Sequence, residues 1–192
     1  MHADFQAQAV LGFWFGEGAE YGKRHRRWFE KNATFDAEVR ARFLALYEEL
    51  ACGGRRSWLD EAKSCLARVV MLDQFPRNMF RGTPRAFASD TLALEATRHA
   101  VARGYDRRML PVERMFIYLP LQHSESLADQ ERACELGAPL AAFAETEDVP
   151  RFAARHRDII RRFGRFPHRN AILGRESTPE EVAFLAAPGS RF

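Results

Sequence analysis

The chain has few cysteines and no segment of the kind that directs a protein to a membrane. Its three cysteines are odd in number and share no Cys-x-x-Cys spacing, which argues against a disulfide framework and a cysteine-based zinc site. No uncharged run approaches the roughly 20 residues that a membrane helix requires. The first apolar run, residues 10–15, follows an aspartate rather than basic residues, which is not the layout of a signal peptide. We therefore expect a cytoplasmic protein that does not bind membranes.

Nucleotide-binding loops and β-strands are also missing from the pattern. Gly12, Gly16 and Gly18 do not fit the G-x-G-x-x-G spacing, and no G-x-x-x-x-G-K-[ST] sequence occurs. No segment shows sustained period-two alternation of β-branched residues. We expect no cofactor, no nucleotide chemistry of the common kinds and no significant sheet.

What the chain does have is helical periodicity over most of its 192 residues. Apolar residues recur at helical spacing, and proline, glycine and capping residues divide them into segments. Ser57 is expected to cap one helix, Pro120 to break another, and a helix after Ser124 or Ser126 to run to about Glu145. The pattern predicts an all-α antiparallel array or bundle of roughly seven to nine helices. We assign one domain, 1–192, with possible pseudo-repeat halves at about 34–110 and 111–187.

One phrase occurs twice, at residues 75–87 and 166–184. Both copies read Phe-Pro, Arg-Asn, an apolar pair, Gly, Thr-Pro and Phe, with small insertions. Each copy ends one helix and begins another, so its proline, glycine and threonine are explained by architecture. Asn78 and Asn170 suit the turns themselves, since asparagine bonds its own backbone there. The cations exceed what carbonyl capping needs, and we predict an anion site from them, formed by Arg77, Arg81, Arg165, His168 and Arg169.

A second candidate site surrounds His123, which follows Pro120. Histidine titrates near neutral pH, and we predict proton transfer by His123 with Glu125 as its partner. Ser124 is expected to be a cap rather than a nucleophile, because no G-x-S-x-G elbow is present. Asp73 is expected to orient the nearby cations. No metal is expected, since His123 and Glu125 lack the H-E-x-x-H spacing. The alternative is that His123, His156 and Asp73 or Asp90 converge in space as metal ligands.

The stretch 150–175 supports two further interpretations. His156 lies on its apolar face with Ile159 and Ile160, where it is either a satisfied core histidine or part of a pocket wall. The stretch also holds eight arginines and a single acid, Asp158, which allows RNA binding through a basic surface. The phenylalanines there occupy positions expected to be buried, so nucleic acid is the less favoured partner.

Four motifs in this order resemble the bacterial "domain of unknown function 924" family. They are Leu-Asp-Gln-Phe-Pro-Arg-Asn at 72–78, Arg-Gly-Thr-Pro-Arg-Ala-Phe at 81–87, Tyr-Leu-Pro-Leu-Gln-His-Ser-Glu at 118–125, and Phe-Gly-Arg-Phe-Pro-His-Arg-Asn at 163–170 with Leu-Gly-Arg at 173–175. The similarity extends from about Val10 to Leu185. The family's motif reads Leu-Met-His-Ser-Glu, so Gln122 is a departure. The resemblance implies a tetratricopeptide-like helical fold and supplies no reaction.

The leading functional hypothesis is a cleft, lined by arginine and histidine, that binds a small anion or an acidic peptide terminus. Hydrolysis or isomerisation of an anionic substrate is the class of reaction that such a cleft would support. One alternative is a protein-interaction scaffold of the helical-repeat type, and a second is RNA binding through 150–175. The sequence leaves the oligomeric state open.

Overall fold

The chain folds into α-helices joined by short loops and 3₁₀ turns. The structure is a computed structural model that describes residues 4–188 and 190. No strand occurs in that part of the chain, so the all-α prediction is confirmed. The α-helices are α1 (Phe5–Phe15), α2 (Ala33–Ala51), α3 (Ala62–Asp73), α4 (Phe75–Met79), α5 (Asp90–Ala102), α6 (Pro111–His123), α7 (Leu127–Gly137), α8 (Val149–Phe163) and α9 (Pro179–Ala186).

Local sequence signals account for several of the helix ends. The Asn32 side chain accepts a hydrogen bond from the Phe35 amide at the start of α2. Thr178 and Glu181 form a capping box at the start of α9, where each side chain accepts from the other residue's amide. Helix α8 ends at Gly164, whose φ of +68° suits glycine. Each of these ends depends on residues close together in the chain.

The start of α3 differs from the prediction. Ser57 does not cap a helix, because residues 56–59 form a 3₁₀ turn and α3 begins at Ala62. The cause is Trp58, which is buried and donates from Nε1 to Asp4 Oδ2 over 2.8 Å. Burying this indole draws the turn into the core, so the regular helix starts several residues later.

The ends of α6 and α7 also differ from the prediction. Pro120 lies inside α6 and does not break it; the helix continues for three residues to His123. The last turn is held from outside, since the Gln130 amide donates to the carbonyls of residues 121, 122 and 124. Helix α7 ends at Gly137 instead of near Glu145, because Pro139 follows in a 3₁₀ turn.

The main core surrounds α3, which packs against α1, α2, α5 and α6. Its Leu66, Val69 and Val70 are fully buried. A second, smaller apolar cluster forms from Ile159, Ile160 and Phe166, with Phe163 and Phe184 against it. Helix α8 packs on α7 and on α6, so the second Phe-Pro loop is carried close to the end of α6.

Two sequence predictions about the architecture are not tested by this arrangement. They are the single domain 1–192 with halves near 34–110 and 111–187, and the tetratricopeptide-like relationship. Both stay predictions. Within the described ranges, no helix combines the length and the hydropathy needed to cross a bilayer.

Candidate functional site

The two Phe-Pro loops meet at the start of α5. Arg77 of the first loop donates two hydrogen bonds to the Asp90 carboxylate, over 3.0 and 3.1 Å. In the second loop, Arg169 Nη1 lies 3.7 Å from Asp90 Oδ2. Both guanidinium groups also lie over the Phe87 ring, 5.7 and 4.9 Å from its centroid. The corresponding arginines of the two copies therefore converge on one aspartate.

A cleft of about 380 Å³ opens beside this aspartate. This volume is within the range of small-molecule sites. Helix α5, the last turn of α6 and the second Phe-Pro loop form its walls. The cleft is lined by Pro84, Phe87, Ala88, Asp90, Thr91, Leu94, Pro120, His123, Ser124, Glu125, Arg169 and Leu173.

His123 is fixed in this cleft by Asp73, the last residue of α3. Its Nδ1 lies 2.7 Å from Asp73 Oδ1. Burial raises the pKa of Asp73, but Arg77 and His123 lower it more, so the pKa is well below its usual range. An ionised carboxylate can only accept, so Nδ1 carries the proton and donates it to Asp73. The Nε2 atom of His123 is then an acceptor.

Burial is also the main influence on His123 itself. It lowers the pKa of the imidazole, and Arg77 lowers it further against the opposing effect of Asp73. His123 is therefore neutral at neutral pH. A neutral histidine oriented by a carboxylate is suited to accept a proton from a bound molecule.

Glu125 is not the partner of His123, which corrects the pairing predicted from sequence proximity. Its carboxylate accepts two hydrogen bonds from Arg175, over 2.7 and 3.0 Å, and a third from the Phe166 amide over 2.8 Å. Burial raises the pKa of Glu125, but the hydrogen bonds from Arg175 and Phe166 lower it more, so the pKa is below its ordinary value. Glu125 thus anchors the second Phe-Pro loop to the end of α6.

Ser124 is also held by neighbours. Its hydroxyl donates to Asp129 Oδ2 over 2.7 Å and accepts from the Ser126 amide over 3.2 Å. The N-cap position of α7 is Ser126. Ser124 therefore fixes the connection between α6 and α7 and is not placed as a nucleophile.

His156 and His168 are two further histidines close to His123. The His156 ring is 6.3 Å from His123 and 5.7 Å from Phe166, and its Nδ1 is 2.8 Å from the Phe152 carbonyl oxygen. Burial lowers the pKa of His156 to about 3. Burial, followed by Arg169, lowers the pKa of His168 to about 4. Both rings are neutral at neutral pH, and His156 is at once a core residue and a neighbour of the cleft.

Arg81 and Arg165, which the sequence assigned to the anion site, lie elsewhere. Arg81 donates two hydrogen bonds to Asp36 of α2, over 2.7 and 2.8 Å, and Asn78 donates a third to the same carboxylate. In the second copy, Arg165 donates to Glu181 of α9 over 2.7 and 2.8 Å. These carboxylates attach each loop to a neighbouring helix, so the two arginines do not reach the cleft.

Asn170 follows the same plan as Asn78. Its side-chain amide donates to Ser177 Oγ over 3.0 Å and to Glu181 Oε2 over 3.3 Å. Both asparagines therefore hold their loops by contacts with side chains distant in the chain. This differs from the local backbone bonding expected of asparagine in a turn.

Arg169 is the unusual cation of the cleft. Its side chain lies over the Phe166 ring, 4.5 Å from the centroid, and the residue is only 7% exposed. Burial, followed by repulsion from Arg77, lowers its pKa to about 10. Its buried Nε has no hydrogen-bond partner among the described residues. The nearest carboxylate, Asp90, is already occupied by Arg77.

Sequence reasoning missed the role of Asp90 as the shared carboxylate of Arg77 and Arg169. It also left Arg175 out of the site and did not consider Phe87. Asp90 follows the first Thr-Pro by a few residues, and this position next to a repeated basic phrase was the signal that could have identified it as a site residue.

Two of the other arginines of 150–175 lie close to carboxylates. Arg161 is 3.5 Å from Asp158 and 3.8 Å from Glu131, and Arg162 is 2.7 Å from Glu180. These pairs reduce the positive charge at Arg161 and Arg162, and RNA binding through 150–175 stays a prediction. No group of three or more His, Cys, Asp or Glu side chains is arranged to hold a metal ion in the described residues.

The fold and site define a class: an all-helical protein with a cleft at the meeting point of two copies of one sequence phrase. The chain belongs to the family described as bacterial protein of unknown function (DUF924), which matches residues 10–189. It is similar to the solved structure of the protein of unknown function ATU0120 from Agrobacterium tumefaciens, with 42% identity over 94% of this chain and 97% of that chain, and a TM-score of 0.84. No curated protein matches the chain. The family resemblance seen in the motifs is thus confirmed.

Proposed function

We propose that this protein binds a small anionic ligand, such as a carboxylate or an acidic peptide terminus, in the cleft between the two Phe-Pro loops. The observation that carries the proposal is Arg169. This guanidinium lines the cleft, is almost fully buried and has a buried Nε without a hydrogen-bond partner in the described residues. Buried cations are normally paired, because desolvation of an unpaired charge is costly. An anion in the cleft would pair with the charge of this guanidinium.

The surroundings of Arg169 support a ligand rather than a structural contact. Asp90 accepts two hydrogen bonds from Arg77, and Glu125 accepts two from Arg175. Each carboxylate near Arg169 therefore has a closer partner. A guanidinium can bind a planar carboxylate through two parallel N–H bonds.

The Asp73–His123 pair extends the proposal to catalysis of hydrolysis or isomerisation. In this scheme the neutral His123 accepts a proton at Nε2, either from a water that attacks an acyl carbon or from a carbon next to a carbonyl group. Asp73 holds the ring and stabilises the resulting imidazolium, as the carboxylate does in other histidine–carboxylate pairs. The same proton then passes to the leaving group or to the neighbouring carbon.

Anion binding is tested by thermal shift and calorimetric titration with acetate, phosphate and sulfate. Binding to the folded state raises the melting temperature with ligand concentration. We expect at least one anion to stabilise the wild type and to have no such effect on Arg169→Met. Arg81→Met is the matched control, because it removes an arginine of the same repeated phrase that bonds Asp36 outside the cleft. The proposal fails if no anion stabilises the wild type, or if Arg169→Met responds as the wild type does.

A further inference from the structure

We infer that the ligand of this cleft is a short monocarboxylic acid that also carries a hydroxyl group. Its carboxylate lies on Arg169, and its hydroxyl donates a hydrogen bond to Nε2 of His123. This inference rests on the proposed anion binding and specifies its chemical class.

The charges around the cleft favour a single negative charge on the ligand. The arginines at positions 77, 169 and 175 balance the carboxylates at 73, 90 and 125, and the nearby histidines are neutral. Asp90 and Glu125 both line the cleft. A doubly charged phosphate on Arg169 would be repelled by these two carboxylates. A carboxylate adds one charge and matches one edge of one guanidinium.

The hydroxyl follows from the state of His123. Its Nδ1 donates to Asp73, so the ring nitrogen that is left, Nε2, can only accept. His123 lines the cleft, and its side chain is 15% exposed there. No hydrogen bond to Nε2 is found among the described residues. An O–H group on the ligand provides the donor that this acceptor lacks, whereas a plain hydrocarbon would bury it without a partner.

The other walls limit the carbon skeleton. Pro84, Phe87, Leu94, Pro120 and Leu173 present apolar surface to the cleft. Short methylene segments gain from contact with such surface, and a cleft of about 380 Å³ has room for only a small molecule. The combination of one cation, one neutral acceptor and apolar walls suits a short hydroxy acid.

The test compares acid pairs that differ only in the hydroxyl and in its distance from the carboxylate. The pairs are glycolate with acetate, 3-hydroxypropionate with propionate, and 4-hydroxybutyrate with butyrate. We expect one spacing to bind roughly three- to tenfold tighter with the hydroxyl than without it, as measured by isothermal titration calorimetry, since one neutral hydrogen bond is worth about that factor. Phosphate should bind more weakly than the preferred acid.

Two His123 variants separate the hydroxyl contact from the fold. His123→Asn keeps a side-chain N–H close enough to donate to Asp73 and removes the Nε2 acceptor. In this variant the hydroxyl preference should disappear, so that both acids of each pair bind with the same affinity. His123→Gln is the complementary variant, because its side-chain oxygen can accept a hydrogen bond near the position of Nε2, and it should keep part of the hydroxyl preference.

The outcomes are distinct. This inference would be overturned if the hydroxyl raised the affinity at none of the spacings, if the preference persisted in His123→Asn, or if phosphate bound more tightly than the preferred acid. The proposed anion binding would still stand in each case. Binding of no anion at all would overturn both.

Discussion

Replacing Arg169 by methionine is predicted to stabilise the protein while it abolishes anion binding. Methionine keeps a long, polarisable side chain against Phe87 and Phe166, and it removes the charge and its donors. Asp90 retains both hydrogen bonds from Arg77. A residue kept for ligand binding at the expense of stability should behave in this way.

The magnitude follows from the pKa of Arg169, which burial, followed by Arg77, lowers from its ordinary value to about 10. This difference corresponds to roughly 3 kcal/mol that disfavours the charged side chain in the folded state at neutral pH. The variant loses cation–π contacts with Phe87 and Phe166, worth about 1 kcal/mol. The net gain in unfolding free energy is about 1 to 3 kcal/mol, equivalent to a rise in Tm of roughly 2 to 10 °C for a chain of this size.

Urea denaturation without added anions measures this effect. Arg77→Met serves as the comparison, because Arg77 bonds the same aspartate, Asp90. It removes the hydrogen-bonded partner of the Asp90 carboxylate and a cation next to the buried Asp73, and it should lower the unfolding free energy by about 3 to 5 kcal/mol. A loss of more than about 1 kcal/mol in Arg169→Met would refute the reasoning, because Arg169 would then be a structural residue.

Two further predictions concern stability. Burial lowers the pKa of His156 to about 3, whereas in the unfolded chain this histidine has a pKa near 6.5. Below that pH the unfolded state binds more protons than the folded state, so the free energy of unfolding falls with acidification. Between pH 7.5 and 4.5 the wild type should lose roughly 2 to 3 kcal/mol more unfolding free energy than His156→Gln; equal losses in urea denaturation would contradict this. Thr178→Ala removes the capping box of α9 and should cost about 1 kcal/mol, whereas Thr178→Ser should cost less, as measured by the same method.

The helical class could be predicted because its signals are local. Apolar periodicity and caps such as Asn32 and Thr178 depend on residues within a few positions of one another. The failures at Ser57 and Pro120 have the opposite origin. The buried indole of Trp58 shifted the start of α3, and the side chain of Gln130 in α7 holds the turn after Pro120. Distant contacts outweighed the local preference in both places.

The candidate site was predictable in its residue types and only partly in its pairings. His123 and Asp73 are 50 positions apart, as are Arg175 and Glu125. The sequence paired His123 with Glu125 because they are neighbours in the chain. In the folded protein the last turn of α6 brings His123 to the end of α3, while Glu125 meets the second loop. Such pairings depend on helix packing, which periodicity alone does not specify.

The difference between the two copies of the repeated phrase explains why the cleft contains an unsatisfied cation. Arg77 and Arg169 occupy matching positions, and both approach Asp90. Arg77 takes both oxygens of that carboxylate and is also 3.4 Å from Asp73. Arg169 reaches the same aspartate only at 3.7 Å and has no carboxylate of its own among the described residues. If both copies served only to join helices, each arginine would be expected to have its own acceptor, as Arg81 and Arg165 do. The shared aspartate therefore makes Arg169 the residue from which a function of this cleft should be sought.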